Sequence, residues 1–253
     1  AVKAGAQGAE PIEAKGWAMV QNGLRDYLAR SAAAARGDAD AVTALFEALA
    51  ITGFSMQYLK TSRSVSGAEH LFSHVWEMAD LSVNGVPVTH GHKVGIGTLA
   101  AAAFTEIFFA DPAGPPSPAP GFTPAGPQDR EAEVMAAFAG SRAQSAVVKT
   151  SLEKLPDVNT AKKITEVFQD SWKEIRSRVL DQLVPYGELK AMLLDAGCPV
   201  TPKEINLTRS EVIATSRRAQ MIRNKYTVLD LAWDTGTFAN VLVKMEESET
   251  YLK

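Results

Sequence analysis

The sequence predicts an almost entirely α-helical protein, on three observations. Apolar residues recur with a period of about 3.6 over most of the chain. No run alternates apolar and polar residues as a half-buried strand would, and no internal repeat occurs. Ser, Thr and Asp stand where helices should begin, and Gly or Pro where they should stop. With 253 residues the chain can bury a substantial core. It reads as one helical domain over 1–253 in three parts: a histidine-bearing half at 1–110, a Pro-rich loop at 111–127, and a helical remainder at 128–253.

Residues 1–15 are small and weakly patterned and read as a ragged entry. Trp17, Val20, Leu24 and Leu28 then keep helical spacing, predicting a helix from about 12 to 35 that Gly37 ends. Asp38 is suited to cap the next helix, whose stripe is Val42, Leu45, Phe46, Leu49 and Met56 and whose end falls near Lys60. Gly53 in that stripe suggests close helix packing. Ser66 with Glu69 three residues on has the form of a capping box. Residues 93–110 are apolar nearly all round, which predicts a central, buried helix. Gly91, Gly95 and Gly97 in its first turns would let backbone or ligand come close.

Seven of the thirteen prolines fall within 111–127, so this stretch is an extended loop, a connector or a lid. Ile164, Val167, Phe168, Trp172, Ile175 and Val179 predict one long helix over about 159–183, and 186–195 a shorter one. Thr201-Pro202-Lys203-Glu204 and Thr208-Arg209-Ser210-Glu211 are two further helix starts, the second running to about Tyr226. Residues 227–233 form another helix. Arg217, Arg218, Arg223 and Lys225 read as a solvated cationic edge.

Composition excludes several classes. The net charge is −3 and no basic cluster is interleaved with aromatics, so no nucleic-acid partner is expected. Cys198 is the lone cysteine, which leaves no disulfide framework or Cys-rich zinc site. The apolar run at 99–110 is broken by Thr105 and Glu106 and is too short to span a bilayer. No signal-peptide pattern is present at the first residue, and a cytoplasmic location is expected.

All four histidines, His70, His74, His90 and His92, lie within 23 positions. His70 and His74 are four apart, which stacks both imidazoles on one helix face. His90 follows the turn-like Asn84-Gly85-Val86-Pro87 and opens the next apolar run, so it can meet His70 at one point. Neutral imidazoles are common ligands for zinc and iron. An i, i+4 pair of this kind is also often a half-buried structural pair, and the spacing lacks the glutamate of HExxH.

These residues carry a resemblance. SGAEHLFSHVWEM at 66–78 followed by THGHKVGIGTL at 89–99 resembles the metal-binding half of the iron-containing alcohol dehydrogenase and dehydroquinate synthase-like superfamily. SRSVSGAEH at 62–70 is most similar to the sn-glycerol-1-phosphate dehydrogenase branch, and IRNKYTVLDLAWDTG at 222–236 to that branch's closing motif. The resemblance extends over roughly the whole chain. It implies two domains around a cleft, an N-terminal Rossmann-like one for the nicotinamide cofactor and a helical C-terminal one with the metal ligands. This chain resembles the second, with the Rossmann-like domain absent.

By that match His70 and His90 are metal ligands, and His74 is a proton-transfer or substrate-binding group. Ser62, Arg63 and Ser66 face the phosphate of a glycerol phosphate. The metal implied is zinc, or else iron or nickel, and NAD or NADP would be bound by the N-terminal domain. The small-molecule partner is a phosphorylated polyol, membrane insertion is not expected, and a homo-oligomer is. His92 stands where related sequences usually carry glutamate and is taken as a surface residue. The third metal ligand, an aspartate in that family, has no recognisable counterpart among Glu10, Glu13 and Asp26, and no glycine-rich phosphate loop follows a strand. The closing motif favours the dehydrogenase over a dehydroquinate synthase-type lyase. A non-catalytic helical scaffold is the remaining alternative.

Overall fold

A computed structural model describes residues 12–253. Helix dominates it, with 65% of the described residues helical and one two-stranded sheet among them. The expectation for 1–15, and Glu10 with it, falls largely outside the described residues.

The first expected helix is three short ones: α1 (Ala14–Gln21), α2 (Leu24–Leu28) and α3 (Ser31–Ala35). Gly23 breaks it, adopting a left-handed φ of 86° that continuous helix does not allow. Asp38 caps α4 (Ala39–Leu59) through a 2.9 Å bond from the Ala41 amide, as its position predicts. The α4 stripe is a correction. Val42, Leu45, Phe46 and Leu49 are 45–71% exposed, and Gly53 has no neighbour close enough to have required a glycine. Helical period shows that one face is apolar, not what covers it. An apolar cavity of about 450 Å³ lies between α4 and the three short helices α1–α3, lined by residues such as Met19, Leu28 and Leu49. No histidine lines it. Among the described helices α4 is the one long and apolar enough to cross a membrane, and 17% of its most apolar stretch is buried.

The centre of the molecule is α5 (Ala68–Met78) packed on α6 (His90–Phe108). Leu71, Phe72, Val75 and Trp76 of α5 meet Ile96, Leu99, Phe104 and Phe108 of α6 in the core, all 3% exposed or less. At about 25 cal/mol per Å², burying each such side chain contributes roughly 1.5–3 kcal/mol. Between the two helices β1 (Ser82–Val83) and β2 (Val86–Pro87) form a small antiparallel hairpin. Asn84 and Gly85 turn it with φ of 51° and 79°. The sequence shows this turn but not the strands, which are two residues each.

Gly97 sets how closely α5 and α6 approach. A Cβ there would stand 2.5 Å from the Glu69 carbonyl oxygen and 3.2 Å from Phe72 Cβ. Gly91 and Gly95 have no such contact. Gly97→Ala is therefore expected to cost about 1–3 kcal/mol, as overpacking does, measured as a lower midpoint of urea unfolding. An unchanged midpoint would mean that the helices are not held by this contact.

Beyond the Pro-rich loop come α7 (Pro127–Ala137), α8 (Gln144–Glu153), α9 (Val158–Asp170) and α10 (Trp172–Gln182). The single helix expected over 159–183 is interrupted at Ser171. The period runs across the break because Phe168 and Trp172 both enter the core, stacked on Phe108 and Phe109 respectively. α11 (Tyr186–Asp195) has the expected bounds. A 3₁₀ turn at Pro202–Ile205 and α12 (Arg209–Met221) begin with capping boxes at Thr201 and Thr208. α12 ends five residues short of Tyr226. α13 (Val228–Asp234) is capped by Thr227, and α14 (Phe238–Glu247) follows.

A buried polar network fastens α7, α8, α12 and α13 together. Arg130 is 1% exposed and donates to Ser151 Oγ at 2.6 Å, Glu133 Oε2 at 3.1 Å and Gln220 Oε1 at 2.5 Å. Gln220 donates to Asp230 Oδ1 at 3.0 Å, and Lys154 Nζ lies 2.6 Å from the same oxygen. Burial lowers the proton affinity of Arg130 and Lys154, partly offset by their acidic partners.

Candidate functional site

The local structure brings three of the four histidines to one place. α5 carries His70 and His74 on one face, with ring centres 6.3 Å apart. The hairpin reverses the chain, and Thr89 caps α6 by accepting a 3.3 Å bond from the His92 amide. This makes His90 the first residue of α6, where the close approach at Gly97 delivers it to α5. Its ring centre lies 5.4 Å from that of His70 and 6.4 Å from that of His74. His92 points away and is exposed.

Each of the three rings meets a carboxylate at Nδ1. His70 Nδ1 is 2.9 Å from Glu69 Oε1. His74 Nδ1 is 2.9 Å from Glu77 Oε2, and His90 Nδ1 is 2.7 Å from Glu77 Oε1. Ser73 Oγ at 3.2 Å and the buried Lys93 ammonium at 3.5 Å also face Glu77 Oε1. Desolvation works to raise the Glu77 carboxyl, but the two imidazoles and Lys93 outweigh it and hold it at about 2. Glu69 is likewise held low: burial raises it, and His70 and the Gly67 amide more than compensate. His74 and Glu77 open, with Arg223, into a cleft of about 430 Å³ between α5, α8 and the end of α12.

Two imidazoles sharing one tetrahedral zinc, at Zn–N of about 2.0–2.1 Å, have ring centres roughly 5 Å apart. The His70–His90 separation of 5.4 Å suits that, and the distances to His74 are longer. The donor chemistry fits as well, since a carboxylate behind Nδ1 is the usual support of a ligating histidine. Among the described residues, however, no three His, Cys, Asp or Glu side chains already form a set that could hold an ion. Glu13 caps α1 by accepting from the Gly16 amide at 2.5 Å, so it serves a helix end.

Ser62, Arg63 and Ser66 come together with a partner that the sequence reading placed elsewhere. Lys225 Nζ donates to Ser62 Oγ at 3.1 Å, Ser66 Oγ at 2.8 Å and the Ser66 carbonyl at 2.9 Å. Arg63 Nη2 donates to the Asn224 carbonyl at 2.7 Å. Ser66 is thus no helix cap. Gly67 occupies the cap position, and its amide bonds Glu69 Oε1 at 2.6 Å. Nor is the cationic edge simply solvated. Lys225 is half-buried, and Arg217 pairs with Glu133 at 2.5 Å. Desolvation lowers Lys225, Glu69 opposes it, and Arg223 and Arg63 add to it. Glu77 and Lys225 are the residues that sequence reasoning missed. A helical glutamate and a helix-end lysine each have an ordinary surface explanation, and only contacts across the fold single them out.

Helices around a centre of clustered imidazoles make this an all-α domain, consistent with the C-terminal domain of a glycerol-1-phosphate dehydrogenase-like protein. No family model matches the chain, and no solved structure matches it. Curated relatives do. Glycerol-1-phosphate dehydrogenase (NAD(P)+) of Bacillus velezensis is 38% identical over 86 residues, 34% of this chain and 22% of that protein. The enzyme of the same name from Halalkalibacterium halodurans is 46% identical over 59 residues, 23% of this chain and 15% of that protein. That of Bacillus licheniformis is 26% identical over 205 residues, 81% of this chain and 38% of that protein. The chain is therefore glycerol-1-phosphate dehydrogenase-like, through a C-terminal region, and the matched part spans well under half the length of these relatives.

Proposed function

We propose that this chain is the helical, metal-binding part of an NAD(P)-dependent sn-glycerol-1-phosphate dehydrogenase-like protein. The intact protein would interconvert glycerol 1-phosphate and dihydroxyacetone phosphate in the cytoplasm, working as a homo-oligomer on this phosphorylated polyol. The observation that supports it most is the meeting of His70, His74 and His90, each backed by a carboxylate, in a chain whose relatives bear that enzyme's name. His70 and His90 would hold a divalent metal, zinc in the first instance. When bound, the metal supplies Lewis-acid polarisation of the C2 oxygen.

The residues of this chain do the rest on the substrate side. In the oxidative direction hydride leaves C2 for the nicotinamide, and the C2 hydroxyl loses its proton. His74 stands at the cleft with Nδ1 committed to Glu77, so Nε2 is the atom free to take that proton. Ser62, Arg63 and Ser66 address the phosphate, where a guanidinium fork suits the oxygens. NAD or NADP is bound by a part of the longer protein outside this chain. With two protein ligands the isolated chain would hold zinc weakly and would not turn over.

The test is made on the longest natural polypeptide that contains this chain. Metal content and NAD(P)-linked oxidation of glycerol 1-phosphate are measured together. A protein with neither metal nor activity would return the reading to the helical scaffold. Arg63→Ala is expected to leave the metal in place and raise KM for glycerol 1-phosphate by a factor worth about 2–4 kcal/mol, the range for one charge-assisted contact. Activity on unphosphorylated glycerol should hardly change. An equal loss on both substrates would make Arg63 a structural residue that holds the Asn224 carbonyl.

A further inference from the structure

Glu77 has a place that the proposed roles leave unexplained. It sits at the end of α5, yet its two oxygens are divided between one histidine of α5 and one of α6. Oε2 faces His74 Nδ1 at 2.9 Å and Oε1 faces His90 Nδ1 at 2.7 Å. Lys93 and Ser73 bracket Oε1 at 3.5 and 3.2 Å and hold the carboxylate still. An ionised carboxylate has no proton to offer, so in both contacts the imidazole must be the donor.

We propose that Glu77 is a positioning residue that fixes His74 and His90 together in the Nδ1–H tautomer, leaving Nε2 of each ring as its free lone pair. The nitrogen that would bind metal on His90 and the nitrogen that would take a proton on His74 are then selected by one group. This gives the two proposed roles a common origin, and it rests on that reading only for what the Nε2 atoms go on to do. The tautomers themselves are properties of the protein alone. His70 is set in the same sense by a different carboxylate, Glu69 at 2.9 Å.

Glu77→Gln is the discriminating substitution, since it keeps the shape and changes the donor pattern. The amide has one accepting oxygen and one donating nitrogen. It can accept from one ring only, and the other ring must present a bare Nδ1 and move its proton to Nε2. The experiment is long-range ¹H–¹⁵N correlation of the histidine rings in the metal-free 253-residue chain, at a pH where the ring nitrogen shifts are those of neutral imidazole. The wild-type chain should show both His74 and His90 as Nδ1–H. Glu77→Gln should convert one of them to Nε2–H, and Glu77→Asp should keep both. Zinc affinity by calorimetry should fall about 10–100-fold in Glu77→Gln, the usual effect of losing a support behind a ligating histidine.

A wild-type spectrum with either ring protonated at Nε2 overturns the proposal, and needs no variant to fold. So does a folded Glu77→Gln chain in which both rings remain Nδ1–H. If the wild-type tautomers are as stated and the longer protein neither holds metal nor oxidises glycerol phosphate, the proposed function fails and the positioning role stands.

Discussion

Asp230→Ala lowers the unfolding free energy by about 3–5 kcal/mol, the cost of removing one partner from a buried ion pair. Asp230 is 3% exposed and accepts four bonds. Lys154 and Gln220 reach Oδ1 at 2.6 and 3.0 Å, and the Thr227 amide and hydroxyl reach Oδ2 at 2.8 and 3.0 Å. Without the carboxylate, the Lys154 ammonium stays buried beside Arg130 and loses its ion-pair partner, with Asp234 left as the acid that still favours its charge. The pH dependence has a definite sign. Burial already lowers Lys154 in the folded state, and losing Asp230 lowers it further. The unfolded chain then binds more protons than the folded one, so the loss shrinks as pH rises toward the ordinary lysine range. Adding Lys154→Met should recover much of the stability, because no charge is left to desolvate. Urea unfolding measures all three chains. A loss below about 1 kcal/mol for Asp230→Ala would place this pair in the class of exposed salt bridges.

His70→Ala in the longer protein has the largest expected effect on function. Changing a support behind a ligating histidine costs about 10–100-fold in metal affinity, so loss of the ligand itself should cost more than that. Metal content and turnover should fall together. Because His70 also accounts for much of the lowering of Glu69, the freed carboxylate moves back toward its ordinary range. A variant that keeps its metal and loses its turnover would reassign His70 from ligand to catalytic group. One that keeps both would remove the metal reading altogether.

What the sequence shows of this fold is what local chemistry dictates. Thr201 with Glu204 and Thr208 with Glu211 are caps within a few residues, and both mark true helix starts. The bounds of α11 follow from Gly197 and Pro199 beyond its end. Features set by distant chain segments are not legible. The stripe of α4 has the period of a core helix and lies exposed, because period reports one apolar face and not its neighbour. Ser66 has the local form of a cap, and a lysine 159 positions away claims its hydroxyl instead. The same holds at the site. Four histidines in 23 positions are visible in any reading. That Glu77 serves two of them depends on a hairpin and a glycine contact that no local pattern encodes.

The contact at Gly97 bears on how such a protein changes over generations. The separation of His70 and His90 is fixed by main chain meeting main chain, at a glycine with Glu69 O at 2.5 Å from where a Cβ would be. Leu71, Ile96 and Leu99 can then be exchanged among aliphatic residues of similar volume without altering that separation. Neutral drift in the core is thereby uncoupled from drift in the imidazole spacing. A single codon, the one for Gly97, carries the constraint that would otherwise be spread over every residue of the interface.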